Sequence, residues 1–572
     1  MKKITFILAL ILVCSHILLA QNPNENKKPR IALILSGGGA KGIAHIPVLQ
    51  MLDSLGIVPD LVVGNSMGSI VGGLYAMGYS GDSIAHIAKT ANWDNLIGGN
   101  VSLNNVSVEE KTEFGRYLIG MGAKDGKIKL TPFLLNDQNL RTFLADLTYP
   151  VYTNTNFDKL SIPFRAIATD IVNGKEVVLD KGGLAFAMRA SMSIPGAFIP
   201  VPYENTLLID GGVLNNFPVD VAKKLNVDYI IGSDVGGGME PKEKLDNITT
   251  LLFQTGMLHS NLKNPENRAL CDILIDHTSY LSFSTGDFSK SEEIYEEGKI
   301  ATNLNLNALK KKKKKIKEFK QLEHKLPIVN EEIILDTIVY NNISKYNLAL
   351  VKARTNIKTN KSYTKQDILN GINRTMGTTI FSHITFTSLT TKNKKGLQIN
   401  VFEKSKNQIN GAIHYDNYHG IGLVVNYTGR NVIGAASRTL VTLDIAEAPR
   451  FRIQHQKNFG SDREWWWRSE LLGQQIEQDI FINGESVENM KYRFFDFNNQ
   501  INRNINSLKN YVGIGITYQN TTLKPKFNPQ YNNNVFELSK YNYRTMEMDF
   551  HYVQNSFNKV FFATSGTILK GT

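Results

Sequence analysis

Cysteine is scarce in this chain, and long apolar runs are absent. Two of its 572 residues are cysteines. Cys14 lies in an N-terminal segment that we expect to be removed, which leaves Cys271 alone and excludes an intramolecular disulfide. The exported chain must therefore be held together by burial and hydrogen bonding. Its composition, 42% hydrophobic and 20% charged, is that of a folded protein, and its length predicts roughly two to four domains.

The N-terminus has the pattern of a secretory signal peptide. Lys2 and Lys3 precede an apolar run from Ile4 to Val13, which continues to Leu19, and Ala20 precedes a polar stretch. A basic start, a short apolar core and a small residue at the break predict a signal peptide at residues 1–20. A lipoprotein signal through Cys14 and an uncleaved membrane anchor are the alternatives. Val13 disfavours the first, and the shortness of the apolar run disfavours the second.

Positive charge is in excess but unevenly placed. The formal net charge is +12, and residues 310–315 are an unbroken run of lysines. We interpret residues 306–327 as a basic linker or solvated helix end. The excess charge suits a protein that meets anionic membrane surfaces. No part of the chain resembles a nucleic-acid-binding module, so we expect no nucleic-acid partner.

Residues 30–305 alternate strand-like and helix-like stretches. Short buried strands are predicted at residues 31–35, 61–63, 164–169, 207–209 and 229–232. Helical stretches between them predict a layered α/β domain with a largely parallel sheet.

Residues 328–405 read as a small α+β unit. A strand is predicted at 333–340, helices at 346–355 and 364–376, and strands at 384–389 and 397–403. Thr364 is the expected N-cap of the second helix. This β-α-α-β-β order resembles a POTRA domain, the module found next to outer-membrane barrels.

From residue 408 to residue 572, apolar and polar residues alternate in segments of roughly ten residues, which is typical of a transmembrane β-barrel. Trp465, Trp466 and Trp467 suit an aromatic girdle. A soluble antiparallel β-domain is the alternative. Since roughly eight or nine strands can be traced and the last lacks a terminal aromatic residue, we expect the barrel to be incomplete.

A glycine-rich loop directly follows the first strand. It reads Ser36-Gly37-Gly38-Gly39-Ala40-Lys41-Gly42. Glycines let the backbone approach a ligand and point its N–H groups at an anion at a helix N-terminus. The spacing also matches G-x-G-x-x-G, so a dinucleotide site is a second interpretation.

The second motif is Gly64-Asn65-Ser66-Met67-Gly68, between a strand and a helix-like stretch. G-x-S-x-G in this setting predicts a nucleophile elbow, in which small residues permit a tight turn that presents the Ser66 hydroxyl. The alternative is an ordinary glycine-rich turn.

A serine nucleophile needs a base. The histidines of this region, His45, His86, His259 and His277, lie in no motif that would expose them. Asp210-Gly211-Gly212 follows a strand, so its carboxylate could reach a serine at a neighbouring strand end. A simple Asp-Gly turn is the alternative.

Together, G-G-G-x-K-G, G-x-S-x-G and D-G-G resemble the patatin-like phospholipases over residues 30–305, and residues 190–198 look like that family's stretch before the aspartate. In that family a serine and an aspartate form a dyad without histidine. The resemblance implies that Ser66 is the nucleophile and Asp210 the proton acceptor. It assigns the oxyanion hole to the backbone of Gly37, Gly38, Gly39, Ala40, Lys41 and Gly42, with Gly64, Gly68, Gly211 and Gly212 as motif glycines.

The resemblance implies a phospholipase A-type serine hydrolase that needs no metal or cofactor. The order of the three regions resembles the patatin-type autotransporters of Gram-negative bacteria, which implies a phospholipid or other lipid ester as substrate and an outer-membrane, cell-surface location. It leaves a homodimer, the lipid head group, the acyl position and the release of the hydrolase open. Lys41, Arg165 and Arg189 could contact a lipid phosphate, although structural roles are favoured.

Two other function classes remain. The C-terminal regions could translocate or assemble a partner protein, with the α/β domain as a passenger. The glycine loop could serve an oxidoreductase. The signal peptide disfavours this, as does the lack of a clearly placed acidic residue ~20 positions beyond the glycines.

Overall fold

The computed structural model describes residues 28–99, 101–124, 127–129, 135–239, 242–246, 248–316, 322–391, 394–416, 420–525 and 540–572. The predicted signal peptide with Cys14 and residues 317–321 of the predicted linker lie outside the described residues. The chain divides into two compact units. The first comprises the described residues of Met1–Ala91, Asn154–Ser193 and Pro200–Pro327, and the second those of Asn92–Thr153, Ile194–Ile199 and Ile328–Thr572.

The strands are numbered in chain order. They are β1 Ile31–Leu35, β2 Leu61–Asn65, β3 Ile119–Lys124, β4 Lys127–Lys129, β5 Phe164–Asp170, β6 Lys175–Leu179, β7 Val201–Tyr203, β8 Thr206–Asp210, β9 Tyr229–Asp234, β10 Ile273–Asp276, β11 Glu332–Leu335, β12 Thr337–Asn341, β13 Lys361–Thr364, β14 Phe381–Thr391, β15 Lys394–Glu403, β16 Asn407–Asp416, β17 Gly420–Arg430, β18 Ser437–Ile445, β19 Arg450–Phe459, β20 Trp465–Ile482, β21 Glu485–Asn506, β22 Asn510–Pro525, β23 Tyr541–Asn555 and β24 Ile568–Gly571.

The α-helices are numbered in the same way. They are α1 Ile46–Leu55, α2 Met67–Met77, α3 Gly81–Thr90, α4 Trp93–Leu96, α5 Gln138–Thr148, α6 Leu184–Ser191, α7 Val219–Lys224, α8 Ile248–Ala269, α9 Ser291–Leu304, α10 Leu306–Ile316, α11 Leu348–Thr355 and α12 Lys365–Met376.

The first unit is built on an eight-stranded sheet. Its order is β10-β9-β1-β2-β5-β8-β7, and β6 also pairs with β5. The five strands from β10 to β5 run parallel, whereas β6, β7 and β8 join antiparallel. Every residue of β1 and β2 is buried, as expected for a parallel sheet covered on both faces. The predicted strands and the largely parallel sheet are confirmed.

The glycine-rich loop enters α1 through a 3-10 helix. Residues Gly39–His45 form this tighter helix, and α1 begins at Ile46. Pro47 lies in the first turn of α1, where its missing N–H costs nothing. Gly56 ends α1 in the left-handed conformation, at φ 64°.

In the second unit, residues 332–403 contain the elements predicted for the small α+β region. Thr364 is the N-cap of α12, as predicted, and it also forms a capping box with Asp367. The single strand predicted at 333–340 was wrong. It divides at Asp336 into β11, which pairs antiparallel with β13, and β12, which pairs parallel with β15. The chain changes sheet at Asp336, whose carboxylate accepts a hydrogen bond from the Lys395 amide.

The C-terminal strands form a large antiparallel sheet of eleven strands. Its order runs from β24 through β16 to β3 and β4. The sequence did not predict β3 and β4, which come from residues 119–129. Among the described residues, no pairing joins the two ends of this sheet, β24 and β4.

The faces of this sheet invert the usual pattern of a soluble domain. On β17, Ile421, Leu423 and Val425 are exposed, whereas Asn426 is fully buried. Trp465 and Trp467 are each 36% exposed, but Trp466 points to the opposite face, is buried and donates to Asn504. Two of the three tryptophans therefore lie on the apolar face. Within the described parts of the chain, no helix has the length and hydropathy required to cross a membrane.

Candidate active site

Ser66 lies at a sharp turn between β2 and α2. Its φ of 51° and ψ of −124° are rare for a residue with a side chain, and such strain is typical of a nucleophile elbow. A Cβ on Gly64 would lie 2.4 Å from the Gly68 carbonyl oxygen, and one on Gly68 would lie 2.5 Å from the carbonyl oxygens of Leu35 and Ser36. Only glycine fits at these two positions, so the turn depends on both.

The sheet register brings Asp210 next to this turn. On β5, Ile167 lies opposite Asn65 of β2, and the next residue, Ala168, lies opposite Asp210 of β8. The two flanking strands therefore end at the same level, on either side of β5. The Ser66 side chain lies close enough to the Asp210 carboxylate to lower its pKa.

The Asp210 carboxylate is almost completely shielded from solvent. Asp210 is 4% exposed and Ser66 is 5% exposed. Burial raises the pKa of Asp210 to about 6, against the opposing effects of hydrogen bonds from Ser66, the Gly212 amide and Asn65 and of the Arg189 charge. The Gly212 amide donates at 2.7 Å and the Asn65 side chain at 3.4 Å. A carboxylate whose pKa rises toward neutrality is a stronger base for a serine proton.

The glycine-rich loop borders the serine. A Cβ on Gly37 would lie 3.0 Å from the Ser66 Cβ. Three of the six predicted oxyanion amides already donate within the protein, from Gly37 to Asn216 O, from Ala40 to Thr285 O and from Lys41 to Gly38 O. Gly42 is the fourth residue of the 3-10 helix Gly39–His45, whose i→i+3 pattern engages its amide. The amides of Gly38 and Gly39 remain the candidates for holding an oxyanion.

This part of the chain matches a known family. Residues 33–223 match the family described as patatin-like phospholipase. They include the glycine-rich loop, the elbow and the aspartate. Residues 33–223 form a patatin-like phospholipase domain.

Relatives of this patatin-like domain belong to the NTE family. An uncharacterized NTE family protein of Mycobacterium bovis is 34% identical over 212 residues, which are 37% of this chain and 51% of the relative. Lysophospholipase NTE1 of Meyerozyma guilliermondii is 28% identical over 310 residues, 47% of this chain and 19% of the relative. The chain therefore spans about half the length of the first relative and about a fifth of the second.

Comparison with solved structures gives weaker likenesses. BamA from Haemophilus ducreyi, in a crystal structure lacking POTRA domains 1–3, matches 42% of this chain and 47% of its own, with 12% identity and a TM-score of 0.32. A TM-score this low assigns no fold.

Two asparagines of the patatin-like domain connect its motifs. Asn65 donates to the Asn216 side chain at 3.0 Å, and Asn216 donates to the Gly37 carbonyl at 3.1 Å. Because Asn65 also reaches Asp210, this chain of hydrogen bonds links the glycine loop to the carboxylate. The sequence analysis missed both roles. Asn65 lies inside the elbow motif, but Asn216 is signalled only by its place after Asp210-Gly211-Gly212.

Ser191 and His45 hydrogen-bond to the backbone of the elbow and of the glycine loop, respectively. The Ser66 amide donates to the Ser191 hydroxyl at 3.0 Å. His45 is fully buried, with its ring nitrogens 2.7 Å from the Ser233 hydroxyl and 2.9 Å from the Ser36 carbonyl oxygen. Burial lowers the pKa of His45 to about 4. His45 therefore holds the start of the glycine loop as a neutral side chain.

Two of the three basic residues considered for phosphate binding, Arg165 and Arg189, contact groups of the protein itself. Arg165 forms an ion pair with Asp158 at 2.8 Å. Arg189 is 1% exposed and donates to the Ser193 hydroxyl at 2.5 Å. Both contacts fit the structural roles that the sequence favoured. Among the described residues, no group of three or more His, Cys, Asp or Glu side chains is placed to hold a metal ion.

Proposed function

We propose that this chain is a serine lipid acyl hydrolase of the phospholipase A type. Ser66 is the nucleophile and Asp210 its proton acceptor. The observation that carries the proposal is a strained serine at an elbow, next to a buried carboxylate whose pKa its side chain lowers. The match of residues 33–223 to the patatin-like phospholipases and the relationship to a lysophospholipase support a lipid ester as the substrate.

The reaction proceeds through an acyl-enzyme. The Ser66 Oγ attacks the ester carbonyl carbon while its proton passes to Asp210. The negative oxygen of the tetrahedral intermediate accepts hydrogen bonds from the amides of Gly38 and Gly39, and each such donor contributes about 10²- to 10³-fold in rate. The proton on Asp210 then goes to the leaving alcohol. Water, deprotonated by Asp210, releases the fatty acid and restores Ser66.

Hydrolysis should depend on the ionisation of Asp210. Because burial raises the pKa of this carboxyl to about 6, the base form is lost as the pH falls through this value. We expect kcat/KM for fatty-acid release to fall about tenfold for each pH unit below about 6 and to level off above it. The measurement is release from phospholipid vesicles by the full chain between pH 4.5 and 8. A profile that stays level down to pH 4.5 would place the titrating group in the usual range for aspartate and would argue against Asp210 as the base with its raised pKa.

The class of lipid is tested separately. The full chain is incubated with vesicles of zwitterionic phospholipids, anionic phospholipids and neutral esters, and the released fatty acids are identified by mass spectrometry. The proposal requires Ser66-dependent release from at least one of these lipids. No release from any of them would contradict it.

We infer further that the hydrolase is exported and attached to an outer membrane. In this proposal, residues 1–20 are a signal peptide, 30–305 the hydrolase domain, 306–327 a basic linker, 328–405 a POTRA-like domain and 408–572 an outer-membrane β-barrel region. The inverted faces of the large sheet support it, since apolar side chains are exposed and polar ones buried. A lipid bilayer is the occupant that stabilises such an apolar face.

The membrane proposal predicts contact between the sheet and lipid tails. Trp465 and Trp467 lie on the apolar face. After reconstitution, bromine-labelled acyl chains should quench tryptophan fluorescence strongly, by about half, relative to unlabelled lipid. A Trp465→Phe/Trp467→Phe variant should lose most of this quenching. Equal quenching in this variant and the unchanged chain would place the apolar face outside the bilayer.

A further inference from the structure

The inference concerns residues 103–117, here called the acidic segment. In sequence it lies within the predicted hydrolase region, but residues Asn92–Thr153 belong to the second compact unit. The chain thus leaves the first unit after Ala91 and returns to it at Asn154. Because the chain is continuous, contacts that bind the acidic segment to the second unit also tether the parts of the first unit that precede and follow it.

Glu110 of the acidic segment is buried among arginines of the large sheet. It is 5% exposed. Arg430 of β17 donates to both carboxylate oxygens, at 3.2 and 2.9 Å, and Arg438 of β18 donates at 2.5 Å. The Glu110 carboxylate and its two arginine partners form a buried ion-pair cluster. Removing one of these charges would leave the others buried without a counter-charge, which is strongly destabilising.

Glu109 makes a second buried set of contacts. Its side chain accepts from Arg354 of α11 at 2.7 Å, and from Asn458 of β19 and Asn504 of β21, each at 3.1 Å. Arg468 of β20 donates to its backbone carbonyl at 2.9 Å. Glu109 and Glu110 together therefore contact five consecutive strands of the sheet and the small α+β region.

The backbone of the same part of the chain is fixed as well. The Ser107 amide donates to the Gly377 carbonyl at 2.9 Å, and the Val108 amide donates to the Ser507 carbonyl at 2.7 Å. Just beyond the acidic segment, β3 pairs with β16 over five residues, from Asn407↔Ala123 to Gly411↔Ile119. The backbone on both sides of Glu109 and Glu110 is therefore held by hydrogen bonds to the second unit, in addition to the side-chain contacts of the two glutamates.

We propose that the acidic segment is an internal anchor that keeps the hydrolase attached to the C-terminal sheet without the connecting peptide. Residues 306–327 are then one of several connections between the two units, since Asn92–Thr153 and Ile194–Ile199 also belong to the second unit. Cleavage after this linker would leave the enzyme in place. Proteolysis at this site would therefore not release the hydrolase.

The test cuts the chain while leaving the anchor untouched. A site for a sequence-specific protease is inserted between Asn330 and Glu331, close to Ile328, which is 93% exposed. The purified full chain is cleaved in detergent and passed over a size-exclusion column. We expect the two fragments to elute together. Separation of the fragments would overturn the proposal.

A double variant shows whether the acidic segment is responsible. Glu109→Gln/Glu110→Gln leaves buried arginines without their counter-charges, and the cut fragments should bind each other at least about 100-fold more weakly. The matched control is Glu292→Gln/Glu293→Gln, an adjacent and exposed pair, whose fragments should stay together. Co-elution of the Glu109→Gln/Glu110→Gln fragments would also overturn the proposal.

Folding is verified before cleavage by the thermal midpoint of each uncut variant. If the double variant does not fold, Glu109→Gln alone replaces it, with Glu292→Gln as its control, and weaker association is again required. Fatty-acid release by the uncut proteins is a separate readout. Failure of the proposed hydrolase chemistry therefore leaves the elution result unaffected.

Discussion

Ser66→Ala is expected to lower kcat/KM for lipid ester hydrolysis by at least about 10⁴-fold, since no other group can form the acyl-enzyme at this position. The fold should survive. Alanine adopts the same strained backbone as serine, and the Ser66 side chain is 5% exposed. The measurement is fatty-acid release from phospholipid vesicles together with the thermal midpoint, which should change by only a few degrees.

The matched control for this substitution is Ser54→Ala. Ser54 is an exposed helical serine whose hydroxyl donates to the Met51 carbonyl. Its loss should leave both activity and stability near those of the unchanged protein. If Ser66→Ala retained hydrolysis at the level of Ser54→Ala, the assignment of the nucleophile would be wrong.

Asp210→Asn is expected to lower kcat/KM by about 10³- to 10⁴-fold, because an amide cannot accept the serine proton. The asparagine oxygen can still accept the hydrogen bond that the Gly212 amide donates to Asp210 at 2.7 Å, so the loop after β8 should keep its shape. The residual activity should no longer change with pH near 6, because the group that titrates there has been removed. The pH profile thus separates a lost base from a merely distorted site.

Asp180→Asn serves as the control for this charge change. Asp180 is an exposed aspartate of the same unit, and its substitution should leave the rate and the bend of the profile near pH 6 in place. An Asp210→Asn protein that kept that bend would show that another group titrates there, and the dyad would have to be reassigned.

The meeting of Ser66 and Asp210 could be predicted because each follows a strand of one sheet. The motifs mark both strand ends in the sequence, but β8 runs antiparallel to β5, so the sequence alone does not place the two ends at one level of the sheet. The register of β5, with Ile167 opposite Asn65 and Ala168 opposite Asp210, supplies the geometry. The role of Asn216 could not be predicted, because a single asparagine belongs to no recognisable sequence motif and its partners are known only from the structure.

The position of residues 92–153 could not be predicted for a different reason. Strand β3 contains two glycines, Gly120 and Gly122, and finds its partner β16 almost three hundred residues later. Glu109 and Glu110 also look like surface residues, since charged side chains are seldom buried unless they are paired. Their arginine partners are scattered over several strands, so the sequence contains no local signal of the pairing.

The break at Asp336 shows the same limit on a smaller scale. Residues 333–340 read as one strand because their apolar pattern is continuous. The structure gives β11 and β12 different partners, β13 and β15. Which strand pairs with which is a property of the assembled sheets, and a continuous run of strand-forming residues does not encode it.

The most direct measurement of the central claim is the site of covalent labelling by a fluorophosphonate. This reagent forms a phosphorus–oxygen bond with an activated serine and releases fluoride. After digestion and mass spectrometry, we expect the adduct on the peptide that contains Ser66, with labelling slowed at least about 100-fold in Asp210→Asn. An unlabelled Ser66 in a protein that hydrolyses lipid, or labelling of Ser66 at an unchanged rate in Asp210→Asn, would contradict the proposed Ser66–Asp210 dyad.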